Sequence, residues 1–203
     1  MVKTVGRFFL RARHWQLFLL IFCTGLLGPR LPALAQAFGA SGTAREAGGL
    51  AGQVLTAVGA LGWLAWLGSV GMFLNARNRP SKSGPSRFIQ FALIFIGAYL
   101  LALDVFVPGS SALTSAAGAT SMGTFAFLIF YVALPLVTVL CALYAFYFDA
   151  KNLVMAERPG PVGFRDYAGP FALILFFPLG VWFVQPGINR LYAQTKEAPR
   201  HSA

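Results

Sequence analysis

Leu50-Ala-Gly-Gln-Val-Leu-Thr-Ala-Val-Gly-Ala-Leu-Gly-Trp-Leu-Ala-Trp-Leu-Gly-Ser-Val-Gly-Met-Phe-Leu74 contains no charged residue. An α-helix needs about 20 apolar residues to cross the hydrocarbon core of a bilayer, and this run exceeds that. It is apolar on every side, so it cannot be a surface helix with a solvated face. Glycine recurs through it, at Gly52, Gly59, Gly62, Gly68 and Gly71, with Gly48 and Gly49 just before. Gly48, Gly52 and Thr56 are four apart and share one helix face; Gly59 continues it. Small residues at that spacing let helices approach closely in lipid, so these four are candidate helix-packing positions.

Outward from this run the same pattern repeats. Spans are expected at about 15–38, 50–74, 88–107 and 124–148, and a fifth apolar segment at 169–192. That last segment is short and interrupted by Pro170 and Pro178, so it either spans or re-enters as a hairpin. Gln185, Pro186 and Asn189 are candidates for a re-entrant tip, or for a plain helix stop. Residues 1–14 form a basic amphipathic segment suited to a membrane surface, and 193–203 form a polar tail. The fold class expected is all-α: a polytopic membrane helix bundle in a single domain, with four transmembrane helices and the fifth short segment. The first run is interrupted by Pro29-Arg30-Leu31-Pro32. Its basic lead and the stretch Ala33–Ala37 also fit a signal peptide; a retained first span is preferred.

Composition agrees. The chain is 57% hydrophobic and only 11% charged, against about 25% charged in soluble domains. Its net charge of +10 comes from Lys and Arg in short segments beside apolar runs. No basic face interleaved with aromatics can be drawn, so no nucleic-acid partner is expected. Of the sixteen Lys and Arg, eleven fall in segments 1–14, 75–87 and 149–167, against only Arg30 and Arg45 in the two loops between. Cytoplasmic loops carry the excess of basic residues, so the N-terminus is expected in the cytoplasm. A re-entrant fifth segment would add Arg190, Lys196 and Arg200 to the inner side.

Residues Phe146-Tyr-Phe-Asp-Ala-Lys-Asn-Leu153, Phe164-Arg-Asp-Tyr-Ala-Gly169 and Phe177-Pro-Leu-Gly-Val-Trp-Phe-Val-Gln-Pro-Gly-Ile-Asn189 resemble, in that order, an uncharacterised family of small multi-pass membrane proteins of Bacteroidota type. His14–Leu20 is similar to the same family's opening. The resemblance implies a bacterial multi-pass protein and no activity.

Chemistry is sparse. No HExxH, GxSxG, CxxC or phosphate-cradling loop occurs. His14 and His201 lie near the termini, and the six acids are scattered. No catalytic, cofactor or metal residues are assigned, and the chain is not expected to be an enzyme. Asp104 is the one ionisable residue well inside an apolar run. Carboxylates in spans are costly and usually pair or serve an ion path. Three readings stand: an interfacial carboxylate, an intramembrane ion pair with Arg30, or an ion site. The expected function is a non-enzymatic membrane scaffold, assembly or sensor component, whose partners are the lipid bilayer and either other membrane proteins or a second copy of itself. The alternative is a channel or transporter subunit.

Overall fold

The computed structural model describes residues 2–39, 41–78, 86–106, 129–158 and 160–197, and among these every regular element is helical. Helix α1 is Val2–Arg11. A continuous helical rod, α2, runs His14–Ala37. Helix α3 is Thr43–Asn78, α4 is Ser86–Phe106 and α5 is Leu134–Glu157. Helices α6, Phe164–Leu175, and α7, Phe177–Glu197, close the chain. Three helical stretches are long and apolar enough to cross a membrane: His14–Ala37, Thr43–Asn78 and Tyr131–Glu157. The apolar part of α4, Arg87–Leu103, is shorter.

The first rod is not broken at its prolines, as the Pro-Arg-Leu-Pro sequence suggests. Its winding loosens to π over Phe18–Cys23 and tightens to 3₁₀ over Gly28–Arg30. Pro29 and Pro32 each sit at the start of a differently wound stretch. Neither proline has an N–H to give the preceding turn, and each missing donor falls where the winding changes.

Helix α3 is the axis. At 1.5 Å per residue its 36 residues extend about 54 Å, longer than a bilayer core. Its glycines seat α2: a Cβ on Gly52 would lie 2.5 Å from the Gly28 carbonyl, and one on Gly59 would lie 3.0 Å from the Gly25 nitrogen and 3.2 Å from the Ile21 carbonyl. Thr56 stands against Gly28, and a Cβ on Gly48 would meet the Ala35 methyl at 3.1 Å. All four small-residue candidates therefore border α2. Gly52→Leu is expected to lower stability by about 2 kcal/mol, the usual cost of overpacking. Gly49→Leu, whose added atoms meet nothing within 4 Å at the first carbon, should match the parent. Equal thermal midpoints for the two variants would show the seam to be looser than described.

Helix α4 packs on α3 and α5, and α5 packs on α3, α4 and α6. The core is continuous from Phe9 and Leu10 of α1 through Trp66, Leu67 and Val70 of α3 to Phe177, Val181 and Ile188 of α7.

The fifth apolar segment is two helices rather than one. The chain leaves helical geometry at Phe176 (φ −90°, ψ 54°). Pro178 is the second residue of α7, where it cannot donate back to a preceding turn, so the interruption falls just ahead of it. Gly180 packs onto the Leu173 carbonyl so closely that any side chain would occupy the same space. Helix α7 then runs beside α3 in the same direction: the Phe177 ring lies 5.2 Å from Trp66, Tyr192 5.5 Å from Phe73, and Arg77 Nη1 donates to Thr195 Oγ1 at 2.7 Å. Arg190 reaches Glu157 at 3.8 Å. Both open ends of the hairpin thus meet the end of the bundle that carries Arg77. Its turn lies level with Trp66, about 16 Å along α3 from Arg77.

Candidate functional site

The sequence candidates fare differently. Gln185, Pro186 and Asn189 are not a tip. They lie inside α7, and the turn is at Phe176. Gln185 is fully buried, as a hub. Its Oε1 accepts from Trp66 Nε1 at 2.9 Å. Its Nε2 lies 2.9 Å from the Phe9 carbonyl, 3.1 Å from the Ala12 carbonyl and 3.0 Å from Asn189 Oδ1. Asn189 Nδ2 also donates to the Ala12 carbonyl, at 3.3 Å. The last carbonyls of a helix have no partner within it. Here two side chains of α7 serve the carbonyls at and just beyond the end of α1, which fixes the basic segment to the bundle. Arg11 stands 5.8 Å from the Tyr192 ring centroid.

Arg30 is exposed in the 3₁₀ turn of α2, bordering an open groove with Leu26, Leu27, Ala33 and Leu34. The side chain of Asp104, in the last turn of α4, lies outside the described residues, and with it the pair with Arg30.

The residue that the sequence reading passed over is Asp149. The charge pattern puts it at the head of an exposed segment, 149–167. Helix α5 instead continues to Glu157, and Asp149 is completely buried on its inner face. Neither carboxyl oxygen has a hydrogen-bond partner among the described residues. The group sits in the notch that Gly71 leaves on α3: a Cβ on Gly71 would collide with Asp149 Oδ1 and come within 3.3 Å of Ile89 on α4. Three helices therefore meet at this carboxyl.

A polar layer lies alongside. Asn75, one turn beyond Gly71, and Asn152 are buried. Asn152 Nδ2 donates to the Phe148 carbonyl at 2.8 Å, and Asn78 Nδ2 donates to the Asn152 carbonyl at 2.8 Å. A cavity of about 160 Å³ is lined by Asn75, Tyr144, Tyr147, Phe148, Lys151, Asn152 and Met155. Lys151 Nζ donates to Tyr147 Oη at 3.1 Å. Asp149 is not among the lining residues. Among the described residues no three His, Cys, Asp or Glu side chains converge as metal ligands would.

At the other end of α3 an apolar groove opens between α3 and α4. It measures about 290 Å³ and includes Ala57, Ala60, Leu64, Gly97, Leu100 and Leu101 in its walls.

Comparison with protein-family models, curated proteins and solved structures gave no match to this chain.

Proposed function

We propose that this chain is a multi-pass integral membrane protein of a bacterial cytoplasmic membrane, and that it works as a non-enzymatic scaffold or assembly component. In this reading α2, α3, α4 and α5 cross the membrane, α6 and α7 re-enter from the cytoplasmic side, and the N-terminus is cytoplasmic. The Lys and Arg bias supports this orientation. So does the contact of Arg77 with Thr195 and of Arg190 with Glu157, which keeps the basic tail on the same side as the basic loops. A single-cysteine variant at Ser83, in a chain lacking Cys23 and Cys141, should resist an impermeant thiol reagent in intact cells, whereas one at Ser110 should react. Labelling at Ser83 would reverse the orientation.

The assembly role rests on the groove between α3 and α4. Its small residues, Ala57, Ala60 and Gly97, would let a partner helix approach to backbone distance, the packing mode that holds helices together in lipid. The protein extracted in mild detergent should run as a complex larger than one 21.8 kDa chain. Ala57→Phe, which fills the groove, should reduce it to the single chain without lowering folded yield. A monomeric parent that carries no other protein with it would reject the assembly role. The second reading, a channel or transporter subunit, is favoured by one observation, the buried Asp149, which has no hydrogen-bond partner among the described residues.

A further inference from the structure

We propose that Asp149 is a proton-binding site, protonated while α3, α4 and α5 are packed at the Gly71 notch, and releasing its proton to water when that seam opens. This goes beyond the assembly reading and stands or falls separately from it.

The argument is geometric. A carboxyl with no exposure and no donor to either oxygen among the described residues is not placed as an ordinary ion. Removing a carboxylate from water costs several kcal/mol even after relaxation, unless a partner compensates. Among the described residues, the charged and titratable side chains on the surrounding elements give no such partner. Arg77 of α3 is spent on the Leu191 carbonyl and Thr195. Lys151 of α5 points to Tyr147. Arg87 of α4 is exposed. Tyr144 and Tyr147 border the neighbouring cavity, and Tyr167 of α6 meets Tyr147 edge-on. None of them bonds to Asp149. A metal ion is a poor alternative, because hard cations take about six or more oxygen ligands, whereas Gly71 and Ile89, which border the carboxyl, offer no side-chain oxygen. A proton needs no further ligand. It converts the group to a neutral acid that can lie against backbone and hydrocarbon.

The same geometry couples the proton to packing. Loss of the proton breaks the O–H bond, leaves a carboxylate and passes the proton to water. The carboxylate can be hydrated only if α3 and α5 separate at Gly71. The adjoining layer of Asn75 and Asn152 and the cavity beside it place polar groups close to that seam.

Infrared spectroscopy of the intact protein in lipid, prepared with ¹³C-labelled aspartate, tests this directly. At neutral pH the parent should show the carbonyl stretch of a protonated aspartic acid. Asp149→Asn should abolish that band, while Asp104→Asn and Asp166→Asn should keep it. If Asp149→Asn fails to fold, the band's survival in the other two variants makes the assignment by elimination. In the folded Asn variant, thermal stability should no longer fall as pH rises, because the neutral amide mimics the protonated acid. Absence of a protonated-acid band in the parent, or its persistence in Asp149→Asn, would overturn the proposal.

Discussion

The Gly180→Ala variant is expected to lose most of its folded protein, although it adds a single methyl group. The position that methyl must take is already filled by the Leu173 carbonyl, and the Leu173 Cα is only 3.0 Å from it. Both are backbone, so no side-chain rotation relieves the clash. The two arms of the hairpin would have to part at Phe176. Relaxation would in turn draw Phe177 away from Trp66 and Val181 out of the core that joins α7 to α3. Overpacking of a closed site costs about 1–3 kcal/mol and occasionally more; a backbone obstacle puts this change at or above the top of that range. Gly169→Ala supplies the control. It lies in the same hairpin, its added methyl would meet nothing within 4 Å, and alanine suits a helix better than glycine. Folded yield after detergent extraction and thermal midpoint should separate the two variants clearly. If Gly180→Ala matches Gly169→Ala, the arms of the hairpin do not meet as described.

What the sequence discloses here is whatever depends on neighbours along the chain. The charge-free run from Leu50 to Leu74 requires a long apolar helix because composition alone forbids a solvated face, and α3 is that helix. The spacing of Gly48, Gly52, Thr56 and Gly59 puts them on one face, and that face borders α2. Of the prolines expected to interrupt the last segment, Pro178 marks the break and Pro170 does not. Pro178 is accommodated in the first turn of α7, and Pro170 and Pro186 are carried inside helices. The break at Phe176 therefore falls just ahead of the one proline of the three that stands in the first turn of a helix.

Asp149 was beyond that kind of reading. Locally it begins a run with Lys151, Glu157 and Arg158, which argues for solvent. Its burial is decided by a glycine far away in the chain, on a helix that must first pack against α5. The sequence reading weighed Asp104 because it interrupts an apolar run, whereas Asp149 adjoins one. Residues at the boundary of an apolar run are where local hydropathy says least about burial.

Gln185→Leu tests the other buried polar group, and its effect should be of similar size. The substitution nearly preserves volume but removes every hydrogen bond of the hub. The indole N–H of Trp66, itself only 1% exposed, loses its acceptor. The Phe9 carbonyl loses its side-chain donor, and the Ala12 carbonyl keeps only the longer contact from Asn189. A buried donor or acceptor left unsatisfied costs about 1–3 kcal/mol, so the sum should be on the order of 3 kcal/mol. The loss should also have a location. With the carbonyls at its end unserved, α1 should come away from α3 and α7 before the rest of the bundle opens, and trypsin should then cut at Arg11 and Arg13. Gln185→Glu should recover only part of the loss, because even as a neutral acid that accepts from Trp66 it has one O–H donor where the amide has two N–H donors. Asn189→Leu should be mild, since Gln185 still reaches the Ala12 carbonyl. Combining Gln185→Leu with Trp66→Phe removes donor and acceptor together, so the paired losses should be less than additive by about 0.5–3 kcal/mol. Full additivity in that cycle, or early cleavage at Arg158 in place of Arg11 and Arg13, would show that Gln185 is not what holds the N-terminal helix to the bundle.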